Sequence, residues 1–403
     1  MPPALSHNRR RAVSAGACFF EVLWAFLRLG LTSFGGPVAH LGYFRDEFVG
    51  RRQWLAEADY ADMVALCQFM PGPTSSQVGI ALGLRRSGLS GAVAAWIGFT
   101  LPSALAMIAF AYGVDALGDL GRQPWLHGLK VVAVAVVAQA VWSMAKSLCP
   151  DRARASLAVL AAVLALAVPS SGGQVAAILL GGLIGLRLPA PVTSLTTNHP
   201  EALSKSWGLA ALGLFLALLI TLPPLAAWSH NHNLALVNGF FRSGALVFGG
   251  GHVVLPLLQE AVVPNGWVGN DAFLAGYGAA QAVPGPLFSF AAYLGAIEGG
   301  WSHGLLCLLA IYLPTFLLMI GTMPFWNGLR RRPVVQSALN GVNATVVGLL
   351  LAALYQPVWT SAIQARSDFA IGILAFLLLT LWKCPAWLVV ILGAAAAQIL
   401  AAI

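Results

Sequence analysis

The chain has 403 residues, 59% of them hydrophobic and only 9% charged, and its mean hydropathy is +0.80. Soluble domains run at roughly 45–50% apolar and about 25% charged, so 14 acidic and 22 basic residues are too few to coat a soluble protein of this size. The net charge of +8 falls in short bursts between apolar runs, which reads as membrane topology and argues against a nucleic-acid partner.

Residues 1–16 form a basic tail carrying Arg9-Arg10-Arg11. Its outline resembles a secretory signal, but Glu21 and Arg28 interrupt the apolar stretch that follows, so it is expected to stay in the mature protein. The next unit, 17–188, opens with two interrupted segments. Gly35-Gly36 splits 17–49, and Pro71-Gly72-Pro73 splits 58–86. Proline inside a helix removes a hydrogen bond and clashes with the preceding turn. The arms beside Pro71 and Pro73 are about 13 residues each, roughly 20 Å at 1.5 Å per residue, against about 30 Å of hydrocarbon. They read as re-entrant hairpins. Four fuller helices follow, near 88–113, 124–147, 153–168 and 172–188. A linker, 189–232, holds one further helix near 207–229. The unit 233–403 repeats the plan, with breaks at Gly249-Gly250 and Pro284-Gly285-Pro286 and helices near 301–325, 336–355, 367–382 and 385–402.

The two units are copies of one another. Phe26-x-Arg28-x-Gly30-x-x-x-Phe34-Gly35-Gly36 recurs as Phe240-x-Arg242-x-Gly244-x-x-x-Phe248-Gly249-Gly250. Glu47 answers to Glu260, Trp54 to Trp267, Gln68-x-x-Pro71-Gly72-Pro73 to Gln281-x-x-Pro284-Gly285-Pro286, and Pro102 to Pro314. An even number of crossings followed by one linking helix inverts the second copy. With the N-terminus in the cytoplasm, Arg45, Arg51, Arg52, Arg85, Arg86, Lys146, Arg152, Arg154, Arg187, Lys205, Arg330, Arg331, Arg332 and Lys383 join the tail arginines on that side, leaving Arg122 and Arg366 outside. The expected fold is an all-α polytopic membrane protein. It has two inverted-topology repeats, each with two re-entrant, broken helical hairpins plus four transmembrane helices, joined by one linking transmembrane helix.

Broken helices in inverted repeats are the signature of a secondary transporter with its site at the repeat interface. Each hairpin tip starts a helix whose first N–H groups lack partners and whose dipole is positive there, which suits an anion. The expected substrate contacts are therefore the tips: Gly35, Gly36, Gly72, Gly249, Gly250 and Gly285, with Thr74, Ser75, Ser76 and Gln77 in unit one and Ser289 in unit two. Serine and threonine also cap helices. Arg28 and Arg242 stand before the Gly-Gly breaks. They read either as cations that compensate a doubly charged anion through planar guanidinium donors, or as partners of a nearby carboxylate such as Glu21 or side chains snorkelling to the surface. His40 and His252 follow the breaks, as proton relays or packed side chains. Coupling or gating candidates are Glu47, Glu260, Lys130, Asn340 and Asn343. For Glu47 and Glu260 the alternative is a solvated salt bridge (for Glu47, with Arg45 or Arg51), for Lys130 snorkelling, and for Asn343 interhelical bonding.

Cys18, Cys67, Cys149, Cys307 and Cys384 show no CxxC spacing, which argues against a disulfide framework or zinc site. No cofactor or metal is expected. HExxH and GxSxG are absent, so an intramembrane enzyme is disfavoured, while a channel-like anion pore stays open beside the transporter.

The stretches Phe34-Gly35-Gly36-Pro37-x-Ala39-His40-x-Gly42-x-Phe44-Arg45 and Gln68-x-x-Pro71-Gly72-Pro73-Thr74-Ser75-Ser76-Gln77-x-Gly79 resemble the signatures of the chromate ion transporter (CHR) family. The two-unit length is similar to its long-chain, bidomain ChrA-type members. The resemblance implies efflux of chromate, a tetrahedral dianion, across a bacterial inner membrane, conferring chromate resistance, with sulfate as isostere. Direction of transport comes from the resemblance alone. Unit two departs from the pattern, with Gly251 where Pro37 stands and no Thr-Ser-Ser after Pro286. The expected partners are this anion, the lipid bilayer and a second copy of the chain as a homodimer.

Overall fold

The computed structural model describes residues 15–34, 36–117, 123–168, 171–188, 204–248, 251–326 and 332–401, and the regular elements among them are all helical. Gly35, Gly249 and Gly250 lie outside the described residues, as does the tail up to residue 14. The first unit holds α1 (Ala15–Thr32), α2 (Gly36–Arg45), α3 (Glu57–Phe69), α4 (Thr74–Leu117), α5 (Pro124–Leu148), α6 (Arg152–Ala167) and α7 (Ser171–Gly185). After α8 (Lys205–Ser229) come α9 (His232–Ala245), α10 (Val254–Val262), α11 (Asn270–Ala280), α12 (Phe290–Thr322), α13 (Pro333–Ala353), α14 (Arg366–Thr380) and α15 (Ala386–Leu400).

Helices stop at the two Pro-Gly-Pro breakers, whereas α4, α8 and α12 run through Pro102, Pro223–Pro224 and Pro314. Helix α3 stops at Met70, whose backbone is extended, and Gly72 takes φ +129°; Gly285 takes +105° at the matching point. Helices α4 and α12 are each two helices that meet at two non-helical residues, Ser87–Gly88 and Gly299–Gly300, which is where the sequence separates 58–86 from 88–113 and starts the helix near 301. Gly88 (φ +63°) and Gly300 (φ +74°) supply the left-handed turn that a side chain resists.

Among the described residues, five helical stretches are long and apolar enough to cross a membrane: Thr74–Ala116, Pro124–Leu148, Lys205–Ser229, Leu287–Phe325 and Pro333–Ala362. Helices α6, α7, α14 and α15 have 16, 15, 15 and 15 residues, about 23 Å each. In α8 only 11% of the most apolar window is buried, so this linking helix lies on the outside of the bundle against α9 and α12.

The units hold each other by exchange. Helix α5 of the first packs against α14 and α15 of the second, while α13 of the second packs against α6 and α7 of the first; α4 and α12 meet between them. Small residues allow the close approach. A Cβ on Gly128 would lie 2.6 Å from the Gly393 carbonyl oxygen, and one on Gly341 would overlap the Gly181 carbonyl. The repeated Gly30 and Gly244 do the same work within each unit. Gly30 of α1 faces the Gly98 and Phe99 carbonyls of α4, and Gly244 of α9 faces that of Ile311 in α12. The multi-pass membrane character read from composition is what the apolar helices show.

Candidate functional site

The Pro-Gly-Pro break of each unit bonds to the other unit. Gly72 N–H donates to the Val247 carbonyl (2.6 Å), and Gly285 N–H donates to the Ser33 carbonyl (2.9 Å). Each Pro-Gly-Pro tip is thereby hooked onto the chain just before the other unit's Gly-Gly break. The glycines are required there twice over. Both have positive φ, and a Cβ on Gly72 would stand 2.6 Å from Gln77 Nε2, while one on Gly285 would stand 3.0 Å from Ser103 Oγ.

The polar residues at the start of α4 lie at this junction. Thr74, Ser75, Ser76 and Gln77 are 8%, 2%, 4% and 0% exposed. Gln77 Nε2 donates back to the Pro71 carbonyl (2.7 Å), closing the loop, and Ser76 Oγ lies 3.3 Å from Tyr312 Oη of α12. His40, buried on α2, sits between the Ser33 carbonyl at Nε2 (3.2 Å) and Ser75 Oγ at Nδ1 (3.2 Å). A carbonyl only accepts, so Nε2 carries the proton and Nδ1 accepts from the Ser75 hydroxyl. The tip of unit two is different. Ser289 Oγ donates to the Pro286 carbonyl three residues earlier (2.9 Å), a local bond within the tip, and the neighbours Phe288 and Phe290 are fully buried rings. His252 pairs through Nδ1 with Tyr277 Oη (2.9 Å).

Several buried polar atoms around this junction have no partner among the described residues, including Ser33 Oγ, Gln77 Oε1, Thr315 Oγ1 and Gln281 Nε2. Buried polar groups are normally bonded, so these atoms retain hydrogen-bonding capacity that no protein group uses. Ser33, Tyr312 and Thr315 escaped the sequence reading. A signal was present: Ser103 and Thr315 each follow a proline of the repeat, and each faces the opposite unit's tip glycine.

The two motif arginines differ in placement. Arg28 is exposed on α1, on the face that also exposes Phe20, Trp24 and Leu31. Glu21 does not pair with it; Glu21 bridges to Arg86 instead (2.9 Å). Arg242 is half-buried and lines a cavity of about 320 Å³ between α7, α8, α9 and α10, together with Gln174, Asn238, Ser243, Glu260 and Trp267. Gln174 Oε1 and Asn238 Oδ1 are buried there without a partner. A second cavity of about 190 Å³ shares Gln174 and Glu260 and extends to Gln356.

Glu47 pairs with Arg52 (2.6 Å) and Arg51 (3.2 Å), while Arg45 pairs with Glu57. The buried Lys130 ammonium pairs with Asp271 at the start of α11 in the other unit (2.9 Å), whose carboxylate is 54% exposed. Asn343 is buried in α13, and Asn340 Nδ2 is buried without a partner.

Irregular backbone buried inside a membrane bundle, with polar groups beside it, is transporter architecture. The chain belongs to the chromate transporter family, whose profile matches residues 20–186 and again 234–399. It is 29% identical to the chromate transport protein of Pseudomonas aeruginosa, over 98% of this chain and 95% of that one. It is 27% identical to the probable chromate transport protein of Synechococcus elongatus, over 93% of each chain, and 27% identical to the chromate transport protein of Cupriavidus metallidurans, over 83% of this chain and 81% of that one. No solved structure matches the chain.

Proposed function

We propose that the protein exports chromate from a bacterial cytoplasm across the inner membrane, by alternating access around the crossing of the four helix breaks. The observation that carries this reading is the reciprocal pair of tip bonds, Gly72 to Val247 and Gly285 to Ser33. It brings the polar start of α4, the His40–Ser75 pair and unfilled polar atoms to one place shared by both units. The family match over both halves supports two units, 17–188 and 233–403, joined by the linker 189–232. The distribution of basic residues supports their inversion and a cytoplasmic N-terminus.

Chromate is a dianion with four acceptor oxygens. The unpaired N–H groups at the start of α4 and the Thr74 and Ser76 hydroxyls donate to such oxygens, joined by the Ser75 hydroxyl when His40 releases it, and the dipole of the returning half-helix adds partial positive charge. On the proposed orientation the cavity holding Arg242 opens outward and is the exit, where the guanidinium attracts the leaving anion. Moving two negative charges out of a negative-inside cell gains about 4.6 kcal/mol per 100 mV, so potential alone can drive export. His40 offers a proton input. Protonation at Nδ1 ends its acceptance from Ser75, frees that hydroxyl and places a positive charge beside the tip.

Counterflow in proteoliposomes tests this. Chromate should exchange, sulfate should compete, phosphate and molybdate should compete less, and uptake should follow the imposed potential. Currents in planar bilayers that pass at channel rates would replace the carrier with a pore. Absence of chromate counterflow in protein of verified fold would remove the assignment.

A further inference from the structure

The two units each carry a brace where the second hairpin leaves the membrane, and the braces differ in chemistry. In unit one, Glu21 of α1 bridges to Arg86 just before the α4 kink, and the Arg86 guanidinium lies over the Trp54 ring (5.1 Å). In unit two, His232 opens α9 and meets Glu298 just before the α12 kink, while Trp267, the repeat partner of Trp54, stands edge-on to the His232 ring (5.6 Å). His303, one turn after the kink, completes the group. Its Nδ1 faces Glu298 Oε2, and His232 Nε2 lies 2.6 Å from Glu298 Oε1.

We infer that His232, Glu298 and His303 form a binding site for a divalent transition-metal ion, of which Zn²⁺ is the representative, and that the ion locks α9 to α12 as the Glu21–Arg86 salt bridge locks α1 to α4. Two imidazoles and one carboxylate are a ligand set that suits Zn²⁺ and leaves a fourth position to water. One donor atom from each of the three residues lies within 4.8 Å of the other two. Ligand atoms about 2.0–2.1 Å from a tetrahedral zinc stand about 3.4 Å from each other, so closing the set takes about 1 Å of movement. His232, whose side chain is 46% exposed, is free to make it. Glu298 and His303 are the fixed part, at 13% and 22%. Their placement is built in: a Cβ on Gly299 would overlap the His303 ring, so the glycine at the kink makes room for the imidazole. Trp301 N–H bonds to Tyr112 Oη (3.0 Å), pinning the turn between the two ligands.

The sequence reading expects no metal because it looks for ligands at short regular spacing. His232 lies 66 residues before Glu298, and only the packing of α9 on α12 joins them.

The test uses the full-length protein, purified with an affinity tag free of histidine and stripped with chelator. Zn²⁺ titrated by calorimetry should bind at one ion per chain, and should raise the thermal unfolding midpoint, while Mg²⁺ at the same concentration should do neither. His232→Ala and His303→Ala should each weaken Zn²⁺ binding at least about tenfold; His230→Ala, two residues away, should leave it unchanged. Glu298→Gln keeps the side-chain shape and serves as the second variant if an alanine variant does not purify; it too should weaken binding. Zn²⁺ affinity unchanged in these site variants, an equal response to Mg²⁺, or no Zn²⁺ binding by the folded wild type would overturn the site. None of these readouts depends on chromate transport or on the orientation of the protein, so failure here and failure of the transport assignment are separate results.

Discussion

Replacing Gly72 with alanine tests whether the Pro-Gly-Pro tip is the pivot of the protein. At φ +129° a side chain is strained, a cost on the order of 1–3 kcal/mol. The new Cβ would also stand 2.6 Å from Gln77 Nε2, so Gln77 must leave the Pro71 carbonyl, forfeiting a buried hydrogen bond of about 1 kcal/mol. The sum is about 2–4 kcal/mol. Gly88→Ala is the control. It too has positive φ, +63°, but nothing lies within 4 Å of its Cβ, so it carries strain of about 1–2 kcal/mol and no collision. Thermal unfolding in detergent should rank wild type above Gly88→Ala and both above Gly72→Ala. Chromate counterflow per folded molecule should fall at least tenfold, about 1.4 kcal/mol, in Gly72→Ala alone. Adding Gln77→Ala should return part of the stability of Gly72→Ala, since the crowding partner is gone. If Gly72→Ala unfolds with Gly88→Ala and transports like wild type, the tip is not a constrained pivot.

Replacing Thr74, Ser75 and Ser76 together with alanine should weaken chromate binding while expression and assembly persist; unchanged affinity in equilibrium binding would leave those hydroxyls as helix caps. Arg242→Gln should raise the half-saturation concentration for chromate about tenfold or more, a loss of roughly 1.4 kcal/mol, whereas exposed Arg28→Gln should change it little; equal effects in counterflow would restore a shared role for the pair. Asp271→Asn should lower the thermal midpoint more than Lys130→Met, because it leaves a buried ammonium without its partner; the reverse order would contradict that pairing. Cysteines placed at Gly121 and Asn265 should label from outside and one at Gly328 only from inside, and labelling of all three from one side would end the inverted arrangement.

Much of this protein is legible in the residues alone. Hydropathy and the scarcity of charge dictate a membrane-embedded bundle, since so few polar side chains can be solvated. The Pro-Gly-Pro breakers dictate where helices stop, because proline lacks an N–H and the glycine between takes positive φ, whereas prolines without that glycine, Pro102, Pro223–Pro224 and Pro314, stay inside helices. The repeat, the polar start of α4 and the importance of the tips follow from local pattern in the same way. What the chain could not declare is which units touch. That Gly72 bonds to Val247 and Gly285 to Ser33, that Lys130 meets Asp271, and that Arg86 takes the Glu21 expected beside Arg28 are all long-range pairings. The side of α1 that Arg28 occupies was equally hidden, because helical spacing gives a residue's angle on its own helix and not which angle the neighbours cover. The His232–Glu298–His303 group is the extreme case: its members come together only because α9 packs on α12, and no periodicity along the chain encodes a distance between two helices.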